Sequence, residues 1–308
     1  MSQVAGARVV EAPPNEPLVL SSSTSAGRRF KDAVFRVATL AAIGLALLTL
    51  LTLIVDLVLT GRTSLNWDFI SAMPSARPAL AGIQSAIWGS LWVVGTTAVL
   101  ALPLGVGAAI YLEEFADRDR WYNRLIELNI QNLAAVPSVV FGILGLAFVA
   151  RGTLSLGFTI LTAAVVLAML VLPTVVISSR EALRAVAPSL RSGSLAPGAT
   201  ELQTVVRQVL PAAVPGIATG SILAISRALG ESAPLLLLGA LSFVTFNPEG
   251  LDSSYTVLPL QIFRYTSEAR TDFRPLAAAG SVVLLGMLLS MNAVAIFLRT
   301  RFERKLRG

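Results

Sequence analysis

The sequence predicts an all-α polytopic membrane protein with six transmembrane helices. Hydrophobic residues fill 55% of the 308 positions and charged ones only 14%, which gives a mean hydropathy of +0.74. The apolar residues fall in long runs without the two-residue alternation of a barrel strand. Backbone groups in lipid must bond within their own segment, so runs of this kind can cross a bilayer only as helices. One run also carries opposite charges, Arg227 and Glu231. An ion at the bilayer centre costs at least about 2.5–3.5 kcal/mol, so such residues mark function by default.

The runs cover residues 34–59, 87–112, 125–150, 154–178, 217–246 and 276–298. Each meets or exceeds the roughly 20 residues that cross a hydrocarbon core. Residues 1–32, rich in Ser, Pro and Ala, read as a disordered tail, and residues 33–308 as the membrane domain. The first span is too long for a signal-peptide core and no small-residue cleavage site follows it, so it is expected to be retained.

Charge sets the expected orientation. Seventeen of the 24 Lys and Arg residues lie in the amino-terminal tail and the entry to the first helix, the loops around 118–124 and 179–216, or the carboxy-terminal tail; six lie in the opposite loops. The positive-inside rule then puts both termini in the cytoplasm. The sequence pI near 10.4 follows from this placement, and no basic stripe with interleaved aromatics suggests nucleic acid. The chain has no Cys and no His. That removes disulfides, thiolate and imidazole metal sites, and His general bases. No GxxxxGK[ST] sequence occurs, so any ATP must be hydrolysed by another chain.

Two loops stand out. The outer loop at 247–275 holds four acids and three arginines around TVLPLQIFRYT. It reads either as a docking surface for an external partner or as an ordinary loop with interfacial Tyr255, Phe263 and Tyr265. The inner loop at about 179–216 predicts a short amphipathic turn at Glu181–Ala185, a bend at Pro197-Gly198, and a second helix from about Thr200 to Leu210. A helix–turn–helix there suits a lever for a soluble partner, although a loop packed on its own domain is the commoner case.

Within this loop, GSLAPGAT…VLPAAVPGI resembles the EAA loop of ABC importer permeases, with Gly198 and Leu210-Pro211 at the matching positions. The acidic-Ala-Ala triplet is replaced by Ser192, Gly193 and Ser194, so the acid is missing. Four further stretches, PLGVGAAIYLEEFA at 103–116, NLAAVPSVVFGILGLAF at 132–148, SRALGESAPLLLLGA at 226–240 and TFNPEGL…TVLPLQIF at 245–263, resemble the permease subunits of phosphate ABC importers, those of the PstA type. The resemblance covers about residues 35–305. It implies the MetI-like permease fold with a cytoplasmic coupling helix between spans four and five, with Ser194, Gly198, Ala199, Thr200 and Glu201 as the ATPase-coupling residues. It also implies a heterodimer with a PstC-type permease, two ATP-binding subunits that hold ATP and Mg, and a periplasmic phosphate-binding protein. No cofactor is expected in this chain itself.

The residues of the fifth run fit a phosphate pathway. Arg227 is expected about 15 Å into its helix, near mid-membrane, at 1.5 Å rise per residue. Its planar guanidinium can bind two phosphate oxygens at once. A carboxylate at Glu231 can accept a hydrogen bond from a protonated phosphate oxygen, and sulfate carries no such proton at neutral pH. Ser226 and Ser232 flank the pair and can donate hydrogen bonds to substrate or to their own helix. Mutual neutralisation of Arg227 and Glu231 is the plainer alternative, but Arg before Glu is the less favourable order for an i,i+4 pair. Pro234 is expected to kink the helix beyond the site. Two rivals stand beside the phosphate reading: a permease for another oxyanion such as molybdate or sulfate, and an ion-coupled secondary transporter.

Overall fold

The computed structural model describes residues 26–117, 119–239 and 243–307, and among them the regular structure is helical throughout. Most of the predicted tail, residues 1–25, lies outside the described residues. The chain divides into two compact units, residues 1–54 and 55–308.

In the first unit the described residues belong to α1, Ala26–Gly61, which starts inside the expected tail and runs into the second unit. Its large apolar side chains, Phe30 through Leu53, are exposed. Its hydroxyls turn inward on the helix: Thr39, Thr49 and Thr52 donate to the carbonyls of Phe35, Leu45 and Thr49 at 2.8–2.9 Å. No polar hydrogen of these groups then faces lipid.

The second unit continues with α2 (Trp67–Ser71), α3 (Gln84–Ile110), α4 (Trp121–Ala135), α5 (Ser138–Leu144) and α6 (Ile160–Arg184). It goes on through α7 (Pro188–Leu195), α8 (Glu201–Thr204), α9 (Leu210–Gly230), α10 (Ala233–Leu237), α11 (Leu258–Ser267) and α12 (Phe273–Arg307). Wide π-type turns extend α3 through Tyr111–Phe115 and α5 through Gly145–Ala150, and another joins α8 to α9 at Val205–Val209. That last turn sits just before Pro211, which has no N–H to offer the preceding turn.

Among the described residues, five helical stretches are long and apolar enough to cross a membrane: Phe30–Gly61, Gln84–Phe115, Ile160–Arg184, Glu201–Gly230 and Phe273–Arg301. The third expected span is instead a pair, Trp121–Ala135 and Ser138–Ala150, bent by 105°. Pro137 explains the break: its ring collides with the Leu133 carbonyl in a continuous helix and drives Val136 into extended backbone, observed at φ −69°, ψ 130°.

Two other spans are displaced from their predicted bounds. The fourth starts at Ile160, where Thr159 caps it by accepting from Thr162 N–H, and it continues through the turn expected to be separate, ending at Arg184. The fifth starts at Glu201, not near residue 217, and stops at Gly230. Here Pro234 is decisive. A helix running on would need its missing N–H to bond the Gly230 carbonyl, and its ring would strike that carbonyl. The helix ends at that glycine, α10 begins afresh with Pro234 in its first turn, and residues 243–246 are not helical.

The core lies where α3, α6 and α9 meet. Apolar burial offers little net drive between helices in lipid, so close approach through small residues matters more. A Cβ on Gly105 would lie 2.7 Å from Val175, one on Gly220 2.2 Å from Ser178, and one on Gly216 2.7 Å from Ala182. Val93, Ala101, Val166, Leu167, Val171, Ala224 and Ala228 fill one layer, and Ala109, Leu112, Val176, Leu183, Val209 and Ala213 another. The two short helices that follow the proline breaks, α5 and α10, pack on each other, with Gly142 against Pro234. The aromatics of the 247–275 loop divide: Tyr255 and Tyr265 are buried core residues, and only Phe263 is exposed. Tyr265 stacks on Phe273 at 5.4 Å and donates to the Gly82 carbonyl at 2.6 Å.

Candidate functional site

The first candidate region is the end of α9. Arg227 sits in the last turn of that helix and is exposed. A cation there complements the partial negative charge of the helix end. Glu231 follows the helix in extended backbone, φ −76°, ψ 123°, and is half-buried. The two are therefore not on one face of a continuous helix, as the sequence suggested, and Arg227 stands at a helix terminus instead of a helix centre. Among the described residues they form no ion pair with one another.

The flanking serines behave differently. Ser226 donates to the Ile222 carbonyl at 2.7 Å and also meets Asn292 Oδ1 of α12. Its hydroxyl thus tethers two helices, a partner that sequence reading missed. Ser232 occupies the position before α10, with its carbonyl accepting from Leu236 N–H at 3.0 Å and no side-chain cap. What the region presents outward is one guanidinium, with a carboxylate held one turn beyond it.

The second region is built by α7, α8 and the turn between them. Gly198 adopts φ +96°, a left-handed conformation that side chains resist, and its N–H bonds the Leu195 carbonyl at 2.9 Å. Thr200 caps α8 reciprocally with Gln203, so its side chain is committed to the helix start. Thr204 Oγ1 and Ser194 Oγ lie 3.0 Å apart, closing the two helices on each other. A cleft of about 450 Å³ results, lined by Ser189, Leu190, Gly193, Ser194, Pro197, Ala199, Gln203, Arg207 and Gln208. Of the predicted coupling residues, Ser194 and Ala199 line it, while Gly198, Thr200 and Glu201 shape its turn. None of the α7 side chains is buried, and Leu190, Leu195, Leu202 and Val206 are exposed around it. Exposed apolar side chains around a cleft of mixed polar and apolar lining suit a protein partner.

Beneath this surface runs a charge network that the sequence reading did not find. Glu113, almost fully buried, receives Arg180 Nε at 3.2 Å and Arg184 Nε at 2.9 Å, and Arg180 also reaches Glu127 of α4 at 2.9 Å. The adjacent Glu114 is gripped by Arg191 of α7, Nη2 at 2.7 Å and Nε at 3.3 Å. The Glu114 hydrogen bond holds the Arg191 guanidinium more firmly protonated than usual, against the opposing effect of partial burial. Only the EE pair within YLEEFA hinted at it, and the partners lie 53 to 77 residues away.

Comparison with known proteins fits this architecture. Residues 101–308 match the family described as binding-protein-dependent transport system inner membrane component. The probable ABC transporter permease protein YqgI of Bacillus subtilis is 31% identical over 81% of this chain and 88% of its own. The phosphate transport system permease protein PstA of Haemophilus influenzae is 31% identical over 81% of this chain and 86% of its own. A chain in the crystal structure of a bacterial alginate ABC transporter in complex with an alginate pentasaccharide-bound periplasmic protein shares the fold at a TM-score of 0.64, covering 89% of this chain and 96% of that one at 17% identity. Helical spans joined by a surface helix pair, with homology over most of the chain, lead to one conclusion: the protein belongs to the binding-protein-dependent inner membrane components, the multi-pass permease subunits of ABC transporters, and is a transport component, not an enzyme.

Proposed function

We propose that this permease carries inorganic phosphate into the cytoplasm by alternating access. The observation that supports the substrate is Arg227, an exposed guanidinium at the end of α9 that Glu231 does not neutralise. A fork-shaped cation of this kind binds two oxygens of one phosphate. Glu231, just after the helix end, accepts a hydrogen bond that hydrogen phosphate offers and sulfate cannot, so it favours phosphate by leaving sulfate against an unpaired charge. The resemblance of residues 226–240 and 245–263 to phosphate permeases, and a relative named for phosphate transport, point the same way.

The assembly follows from what the chain lacks. With no nucleotide-binding loop of its own, it draws on two partner ATPases that bind ATP and Mg and dock on the α7–α8 cleft. On this reading the cleft lies in the cytoplasm, and the distribution of Lys and Arg supports the same side for both termini. A PstC-type permease completes the pathway, and a periplasmic phosphate-binding protein delivers substrate from the other side. ATP-driven closure of the ATPases pushes α7 and opens the helix interface outward; hydrolysis reverses it and phosphate leaves Arg227 for the cytoplasmic side, where the α7–α8 cleft lies.

Uptake by proteoliposomes holding the whole transporter tests this, with Arg227→Gln and Glu231→Gln at matched membrane levels. Loss of phosphate uptake in Arg227→Gln, with assembly and ATP binding retained, is the expected result. Entry of sulfate into Glu231→Gln vesicles is expected if that carboxylate discriminates. Transport of molybdate or sulfate but not phosphate by the unaltered complex overturns the substrate.

A further inference from the structure

α7 is a surface helix with no buried side chain, joined to α6 by the non-helical residues Ala185, Val186 and Ala187. A push on such a helix reaches the membrane spans only through whatever ties it to them. Thr204 ties it to the start of the fifth span through Ser194. The heavier tie is Arg191. Its Nε and Nη2 take both oxygens of Glu114, its Nη1 donates to the Val186 carbonyl at 2.8 Å, and its Nη2 also donates to the Leu183 carbonyl at 2.9 Å. Leu183 lies in the last turn of α6, and Glu114 in the terminal turn of α3. One side chain therefore pins α7 to the ends of two spans that pack intimately through Gly105 and Val175. The Glu114 side chain is 8% exposed and that of Arg191 27%, so water competes weakly for the bond.

Shape matters as much as charge here. The four contacts use the fixed fork of a guanidinium, and an ammonium at the same place is a single point that cannot span carboxylate and carbonyls together. The neighbouring Glu113 extends the tie, since it joins α3 to Arg180 and Arg184 of α6, and Arg180 joins on to α4.

We propose that the Arg191–Glu114 pair is the joint through which displacement of α7 reaches α3 and α6, with Arg191 a positioning residue of the coupling machinery. The proposal rests on the reading that α7 contacts an ATPase. It does not depend on phosphate being the substrate.

The test uses the complete transporter in proteoliposomes. The chain has no Cys, and a Cβ on Gly193 meets nothing within 4 Å, so Gly193→Cys with a thiol-to-amine cross-linker reports ATPase contact. Arg191→Ala and Arg191→Lys are compared with the unaltered Arg191 for assembly, cross-linking, basal ATP hydrolysis, and the increment caused by the loaded binding protein. Assembly, cross-linking and basal hydrolysis are expected to persist in both variants, while the increment falls about tenfold, within the usual range of coupling between sites. Glu114→Arg combined with Arg191→Glu is expected to regain part of what either reversal alone loses. An unchanged increment in Arg191→Ala overturns the proposal. Loss of assembly in both Arg191 variants also overturns it, because the pair is then a structural brace. Absence of the cross-link when Arg191 is intact instead removes the underlying reading of α7.

Discussion

Glu231 begins where the helix carrying Arg227 ends: its N–H bonds the Ala228 carbonyl at 3.2 Å and its backbone then turns extended. The two charges are close in sequence but belong to different local structures, one to a helix end and one to the non-helical break before α10. The carboxylate is thereby placed by the backbone that follows the helix, not by the helix face that carries the guanidinium.

Because the two groups form no ion pair within the chain, their removal should be nearly independent. Arg227→Gln and Glu231→Gln are expected to change the thermal stability of the purified complex additively, within about 0.5 kcal/mol. Thermal unfolding of both single variants and the double variant checks this. A coupling well above that figure would mean the pair closes on itself in the assembled transporter.

Ser226 has a partner across the bundle in Asn292, so its hydroxyl should matter more for packing than for transport. Ser226→Ala and Asn292→Ala are each expected to cost about 0.6 kcal/mol, up to about 1.7, the range of hydrogen bonds between membrane helices. The double variant should cost less than the sum of the two. Uptake per folded transporter is expected to stay near that of the unaltered protein, and a clear loss would return Ser226 to the substrate pathway.

These two cases show what was readable in the chain. Apolar runs announced the spans because length and composition are summed properties that survive local error. The breaks were readable in principle: Pro137 and Pro234 forbid a bond four residues back, and Gly230 occupies that place for the second of them. The predicted fifth span overran because hydropathy alone does not register a missing N–H. Long-range partners were not readable at all. Arg191 and Glu114 are separated by 77 positions, and Ser226 and Asn292 by 66, so only the fold reveals that they meet. The turn at Gly198 lay between these extremes, since a Pro-Gly bend is a local signal and the observed φ of +96° fulfils it.

Close helix contact makes a different demand on glycine. A Cβ at Gly220 would fall 2.2 Å from Ser178 Oγ and 2.3 Å from its Cβ, whereas at Gly95 it would meet nothing within 4 Å. Gly220→Val is therefore expected to destabilise the permease by about 1–3 kcal/mol through overpacking of α6 against α9. Gly95→Ala should be neutral or slightly stabilising, since alanine favours a helix interior by up to about 1 kcal/mol. Thermal unfolding in detergent distinguishes the two, and equal effects would mean that α6 and α9 are not held as closely as the structure shows.

The buried end of α11 gives a prediction in pH. Burial is the main reason the Tyr265 hydroxyl is pushed up to about 12 from its ordinary 10.0, and it donates to the Gly82 carbonyl at 2.6 Å. A group whose folded pKa is raised stabilises the fold below its unfolded pKa and loses that contribution as pH rises through the folded value. The contribution of Tyr265 should thus be complete below pH 10 and disappear toward pH 12. Tyr265→Phe removes the hydrogen bond and leaves the Gly82 carbonyl unpaired, at a cost of about 1–3 kcal/mol at neutral pH, while keeping the stacking on Phe273. Its thermal stability should then fall less steeply than that of the unaltered protein between pH 10 and 12. Parallel slopes for the two proteins, measured alongside tyrosinate absorbance, would show that Tyr265 ionises without regard to this contact.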